Sequence, residues 1–263
     1  YYEDAGLPVY FVDNEYYFHR HGLYGYYDDG ERFAFFCRAV LESLPKISLQ
    51  PEIIHCHDWQ TAMICTLLKT TYRQQPFYEQ MRTLYTVHNL KYQGLFPKET
   101  LGELWGLNWE QFTPDGLEFY DQLNCMKGGI VYADAVSTVS RTYSQEIQQP
   151  FYGEKLEGVL RQREPVLYGI TNGIDETRYN PASDPSLFVN YDWTEWTKKK
   201  QNKEALQEQL GLRIQGSTPV LAMVTRLVEP KGLDLVAAVL YELMTEDVQL
   251  VVLGCGDKQY EHM

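Results

Sequence analysis

The sequence predicts an α/β chain whose strands lie in parallel sheets. Two observations carry that expectation. Short apolar runs rich in β-branched residues, such as Val220–Val224 and Val248–Leu253, alternate with segments whose apolar residues recur at helical spacing. Strands separated by helices pair in parallel, because each crossover returns the chain to the same end of the sheet. Polar and cationic residues also gather just past the expected strands: His57-Asp58, His88-Asn89, Asn172 and Arg226 all stand there. That carboxyl edge is where parallel sheets bind ligands.

In chain order, Gly6–Asn14 alternates enough for a first strand and gives way to a polar, Tyr-rich loop through Gly30. Glu31–Leu44 carries apolar residues at 33, 36, 37, 40, 41 and 44, a helical period, and Pro45 ends it. Pro51–Cys56 is a strand leading into His55-Cys56-His57-Asp58. Asp58 stands where the helix Trp59–Lys69 needs an N-cap. His55 and His57 share a strand face with a cysteine between them, which invites a metal. Zinc needs three or four converging ligands, however, and no matching pair follows, so no metal is expected.

Arg82–Val87 is the next strand and ends at His88-Asn89, where a histidine either meets a ligand or serves the fold. Tyr92-Gln93-Gly94 reads as a mobile loop. The region 101–116 is rich in Trp and Gly, and core packing is the commoner fate of Trp105 and Trp109. Leu123–Tyr132 reads as a buried helix whose Lys127-Gly128-Gly129 admits a close neighbour. Ala135–Val139 is a strand, with Ser140 and Thr142 capping the helix after it. Pro165–Ile170 is another strand, delivering Thr171-Asn172-Gly173-Ile174-Asp175, where Asn-Gly suits a turn. A polar, Pro-punctuated stretch from Asn180 leads to a charged helix, Trp196–Gly211, and then to a hinge at Gly211–Thr218.

Beyond the hinge stands the segment Pro219–Asp234. Its strand, Val220–Val224, stops at Thr225-Arg226-Leu227, and after a short loop the chain restarts at Lys231-Gly232 as a helix, Leu233–Met244. Arg226 and Lys231 thus stand beside helix N–H donors, an arrangement suited to a diphosphate. The strand Val248–Leu253 ends in Gly254-Cys255-Gly256, a glycine turn that would let backbone amides reach a nucleotide.

With 263 residues, 44% of them hydrophobic, the chain has ample material for one large or two modest cores. A net charge of −13 without a basic stripe argues against nucleic acid and against an anionic membrane surface. Five cysteines without a CxxC pair read as reduced, mostly buried thiols of a cytoplasmic protein. No apolar run is long enough for a transmembrane helix. Since the chain opens without Met and closes right after a strand, it reads as a fragment.

Thr225-Arg226-Leu227 with Lys231-Gly232-Leu233-Asp234, His57-Asp58-Trp59, Tyr85–Leu90, Tyr92-Gln93-Gly94 and Thr171–Asp175 together resemble the bacterial glycogen synthase family, which includes starch synthases. The motifs run in order along nearly the whole chain. The resemblance implies two Rossmann-like domains of the glycosyltransferase-B type: 1–212, lacking its first strand; a hinge at 213–218; and the start of a nucleotide-sugar domain at 219–263. It agrees with the fragment reading, because the family carries a Lys-Thr-Gly-Gly-Leu loop earlier and a Glu-rich donor site later. The implied reaction is glucosyl transfer, with retention, from ADP-glucose to glycogen or a malto-oligosaccharide, without a cofactor.

By the same resemblance, His88 contacts the transferred sugar, Asp58 lies near it, and Asn172 belongs to the interdomain cleft. Asn89 belongs with His88 at the substrate, while Gly254 and Gly256 belong to the donor side. Arg226 and Lys231 stabilise the leaving diphosphate. Gly22-Leu23-Tyr24-Gly25 matches a loop over the sugar, where Tyr24 either stacks on a glucosyl ring or packs the turn. Two other readings remain. One is an incomplete, inactive glucan- or nucleotide-binding piece. The other is a nucleotide-sugar epimerase or dehydrogenase, which needs a G-x-G-x-x-G that the first strand lacks.

Overall fold

A computed structural model describes residues 2–4 and 6–263. Strand β1 (Tyr2–Asp4) pairs antiparallel with β2 (Leu7–Val9), and α1 (Glu15–Phe18) follows, capped by the Asn14 side chain. The strand expected over Gly6–Asn14 is therefore only three residues long and joins a hairpin, not the parallel sheet. Alternation alone does not reveal which partner a strand finds. Helix α2 (Asp29–Ser43) begins two residues earlier than its apolar period suggests.

The first parallel sheet follows. Strands β3 (Ile53–His57) and β4 (Arg82–Val87) flank α3 (Asp58–Lys69). The crossover after β4 carries a small antiparallel sheet of β5 (Leu95–Pro97), β6 (Glu118–Phe119) and β7 (Gln122–Asn124), together with α4 (Thr100–Glu103). It ends in α5 (Cys125–Tyr132) and β8 (Ala135–Thr138), then α6 (Arg141–Glu146), α7 (Glu157–Gln162) and β9 (Leu167–Gly169). The order β3-β4-β8-β9 is parallel throughout, and Cys56, Tyr85 and Val136 stand side by side across it. The side chains of Cys56, Tyr85 and Val136 are essentially inaccessible to solvent, as a sheet covered by crossover helices requires.

The core joins α3 to α5. Ala62, Met63, Leu67, Met126 and Ile130 are all buried between the helices and the sheet. The glycine pair in α5 fits against Tyr85 and Leu117, the close approach anticipated from Lys127-Gly128-Gly129. Lys127 itself is buried, and its ammonium donates to the carbonyls of Pro114 (2.5 Å) and Glu118 (2.6 Å). Burial pushes its pKa down, while Glu118 and Asp115 act in the opposite direction. Lys127→Met keeps much of the volume but strands both carbonyls, so we expect a loss of about 1–3 kcal/mol in denaturant unfolding. Wild-type stability would show that water replaces the ammonium at no cost. Trp105 packs in the core as anticipated, whereas Trp109 is exposed. Ser140 alone caps α6, accepting from Tyr143 N at 3.3 Å.

The described chain divides into two compact units, 1–172 and 173–263. The second holds α8 (Lys199–Gln209), β10 (Val220–Val224), α9 (Leu233–Leu243), β11 (Gln249–Leu253) and α10 (Lys258–Glu261), with β10 and β11 parallel. The division precedes the hinge expected at 213–218 because α8 belongs with the strands after it. The buried Gln207 amide donates to Gln249 Oε1 (2.7 Å), and Lys203 donates to Gly216 O (2.9 Å). Among the described residues, no helix is long and apolar enough to cross a membrane.

Candidate active site

In the first unit the polar residues collect at the carboxyl ends of β3 and β4. His57 closes β3 and His88 directly follows β4, and His57 Nδ1 lies 3.0 Å from His88 Nε2. The His55 ring stacks on His57 at 4.1 Å between centroids and bonds Thr86 Oγ1 at 2.7 Å. Asp58 differs from its expected role. The N-cap of α3 is His57, and no side-chain cap bond forms. Asp58 instead accepts at Oδ1 from the backbone N–H of His88 (2.8 Å) and of Asn89 (3.4 Å), tying the first strand end to the second. To do so it adopts φ +52, a left-handed conformation that Asp tolerates but that clusters at functional sites. Asn89 bonds locally, its Oδ1 accepting from Lys91 N at 3.0 Å.

Burial lowers the His57 pKa below its ordinary 6.5, with His55 and His88 adding to the shift and Asp58 opposing it. Burial also lowers His55, assisted by His88. A depressed folded value means that the unfolded chain binds protons first as the pH drops. The stability contributed by these neutral rings is thus complete above pH 6.5 and is lost as pH falls through the folded values. Thermal unfolding followed from pH 7.5 to 5 should show a falling midpoint that becomes shallower in His57→Gln.

Tyr92-Gln93-Gly94 is not mobile in the sense expected. Gln93 is buried, accepts from Asn124 Nδ2 at 2.6 Å and donates to Glu154 O at 3.0 Å. Its backbone carbonyl and that of Gly94 accept from Met126 N and Cys125 N, both at 3.0 Å. Gly94 holds φ +65 under the Trp59 ring, whose nearest atom would lie 2.5 Å from a Cβ. Nothing local announces these bonds, since every partner lies far along the chain.

Tyr24 is exposed on the loop before α2 and lines a cavity of about 370 Å³ with Phe18, Arg32, Phe33 and Thr61. The loop is held by Arg32, a residue the sequence did not single out. Its buried guanidinium donates to Tyr17 O (2.8 Å) and Leu23 O (3.2 Å) and pairs with Asp29. Asn172 is exposed in the loop after β9, at the last position of the first unit.

The second unit holds the cations. Arg226 and Lys231 are both exposed after β10. A 3-10 turn, Glu229–Lys231, leads to Gly232 in the left-handed region, and α9 begins at Leu233, where the sequence places it. Gly254 and Gly256 lie against the 225–227 backbone: a Cβ would meet Thr225 O at 1.9 Å in the first and Leu227 O at 2.2 Å in the second. The Gly256 amide is already taken by Glu261 Oε1 at 2.8 Å. Its glycine is thus explained by backbone contact, and that N–H is spent within the chain.

Among the described residues, no group of three or more His, Cys, Asp and Glu is arranged to hold a metal ion. The cysteines are free thiols, four buried and Cys255 exposed. Burial pushes the Cys37 thiol far above its usual range, which keeps it inert.

The first unit is thus an α/β unit with two histidines and a carboxylate at the carboxyl edge of its parallel sheet, and the second is a βαβ unit that exposes Arg226 and Lys231. Residues 1–162 match the family described as the starch synthase catalytic domain, and the chain belongs to that family. It is 56% identical over 98% of its length to the glycogen synthase of Alkaliphilus metalliredigens, and 54% identical over 97% to that of Geobacillus stearothermophilus. It spans about half the length of these curated relatives, 54% and 53% respectively. The catalytic domain of starch synthase IV from Arabidopsis thaliana, solved bound to ADP and acarbose, superposes with a TM-score of 0.89 at 36% identity. The superposition covers 98% of this chain and 54% of that one.

Proposed function

We propose that the chain is the part of a retaining glucosyltransferase that adds glucose from ADP-glucose to the non-reducing end of an α-1,4-glucan. The observation that carries this reading is the likeness to glycogen synthases along nearly the entire chain, with the strand-end residues His57, Asp58 and His88 assembled at one sheet edge. The ADP and acarbose in the Arabidopsis structure support an adenosine diphosphate donor and a sugar-chain acceptor.

In the proposed reaction the bond between the anomeric carbon and the β-phosphate oxygen breaks. The acceptor hydroxyl oxygen attacks from the same face, and its proton passes to the departing phosphate. Charge grows on the diphosphate, and Arg226 and Lys231 would stabilise it electrostatically. His88, with its backbone fixed by Asp58, would orient the sugar together with Asn89 and Asn172. Tyr24 would cover a sugar ring, and the amide of Gly254 would approach the nucleotide. Gly256 is assigned only the close backbone contact. No carboxylate nucleophile is called on, nor any metal or organic cofactor.

The test is incorporation of labelled glucose into glycogen, by protein extended to the length of its curated relatives, with ADP-glucose and UDP-glucose compared directly. We expect incorporation from ADP-glucose. A well-folded protein that incorporates from neither donor would overturn the reading, and preference for UDP-glucose would correct the donor alone.

A further inference from the structure

We propose that His57 is a positioning residue that holds the His88 imidazole through its Nε2, so that Nδ1 is the His88 ring nitrogen left to meet a substrate hydroxyl. The inference rests on the proposed glucosyl transfer for its substrate, but the coupling of the two rings stands on geometry alone.

His57 is itself held from several sides. Its backbone N–H donates to Thr61 Oγ1 at 2.6 Å, and the same hydroxyl donates to His57 O at 2.7 Å. One side chain of α3 thereby fixes the last residue of β3. The His57 ring is backed by His55, the next residue on that strand face. His55 is anchored in turn: its Nε2 bonds Thr86 Oγ1 at 2.7 Å, and Thr86 Oγ1 bonds Ser137 Oγ at 2.6 Å. A polar row thus crosses β3, β4 and β8 beneath the two histidines. The exposed end of the row is the contact of 3.0 Å between His57 Nδ1 and His88 Nε2. His88 is held at its backbone by Asp58, and the ring contact adds a second restraint on its side chain.

A bond between two imidazole nitrogens requires one N–H and one lone pair. It therefore ties the two neutral rings to complementary tautomers and breaks when both contacting nitrogens carry a proton. The charged and titratable groups facing His57 are His55 from its own strand, Asp58 from α3 and His88 from the end of β4. The two neighbouring imidazoles favour the neutral ring. Asp58 alone opposes them, and its Oδ1 is engaged with backbone amides. A misplacement of about 1 Å in an orienting group can cost about 10²-fold in rate, so a residue that fixes a ring by one bond has a large effect without touching substrate.

The experiment uses two readouts. Imidazole nitrogen NMR is recorded on this chain as wild type, His57→Leu and His57→Gln. In the wild type, His57 Nδ1 and His88 Nε2 should show complementary protonation at neutral pH and a nitrogen–nitrogen coupling across their hydrogen bond. In His57→Leu, that coupling should vanish and His88 Nε2 should lose its hydrogen-bonded shift. His57→Gln, whose amide can donate or accept, should restore a hydrogen-bonded His88 Nε2 whichever tautomer it holds. In protein of the relatives' length, His57→Leu should lower kcat by about 10²-fold with little change in KM for ADP-glucose, and His57→Gln should recover part of it. A wild-type His88 Nε2 that shows no coupling to His57 Nδ1 overturns the proposal whether or not the leucine variant folds. Unchanged His88 signals or wild-type kcat in folded His57→Leu also overturn it. Coupled nitrogen signals in a protein that transfers no glucose would instead refute the glucosyl-transfer reading and leave the ring coupling standing.

Discussion

Arg226→Ala, in protein of the relatives' length, is expected to lower glucosyl transfer from ADP-glucose by about 10²–10³-fold while leaving the melting temperature unchanged. The side chain is exposed after β10. Its neighbourhood is held by backbone bonds that do not involve the guanidinium, namely Leu227 N to Cys255 O at 2.9 Å and Asp257 N to Leu227 O at 2.8 Å. Removing it should therefore cost the fold little and the reaction much, because negative charge develops on the diphosphate only as the bond breaks. The loss should fall on kcat, since an interaction made mainly in the transition state leaves KM nearly alone. Lys231→Ala should behave similarly, with at least a tenfold loss. Wild-type turnover in either variant removes that cation from the site. A drop in kcat accompanied by an equal loss of thermal stability would assign the residue to the fold.

Gly254→Ala is expected to act in the opposite way, on the fold before the chemistry. The added Cβ would fall 1.9 Å from Thr225 O, a main-chain atom that cannot rotate aside. Either β10 and β11 separate at their carboxyl ends or the 225–227 loop shifts, and overpacking of this kind typically costs about 1–3 kcal/mol. Unfolding of the second unit, followed by hydrogen exchange at Val251–Leu253, should quicken without any nucleotide present. Gly256→Ala should do the same, since its Cβ would approach Leu227 O to 2.2 Å. If Gly254→Ala leaves exchange untouched and weakens ADP binding, the glycine serves the ligand and the steric explanation is wrong.

The strand ends were legible because an apolar run stops where a buried strand stops. His88 follows its run directly and Arg226 comes two residues after Val224, although β10 is partly exposed and not buried. The Tyr92–Gly94 loop was misjudged for a physical reason. Its polar composition matches that of a mobile turn, and the groups that pin it, Asn124 and Glu154, belong to other elements. Asp58 was misassigned similarly. Its sequence position fits an N-cap, but its carboxylate faces the next strand, where two backbone amides compete successfully for it. His57 was placed at a strand end and in a family motif but given no contact with His88, because the alternation that puts it on the same face as His55 says nothing of His88. Nor could Gly254 and Gly256 be told from a nucleotide turn until the 225–227 backbone lay against them.

By itself the sequence determined the α/β class, the order of the parallel strands' elements, a buried helix within Leu123–Tyr132 and the motifs of the starch synthase family. These follow from periodicity and from residues adjacent in the chain. Only the tertiary structure decided that the first strand forms a hairpin, that Gln93 is fixed and that α8 packs with the second unit. It also decided that the carboxylate of Asp58 and the ring of His57 both act on His88. Each of these depends on a hydrogen bond or strand pairing between separate segments. The favoured partner is set by which competing group reaches the shared site, and that is a property of the packed chain.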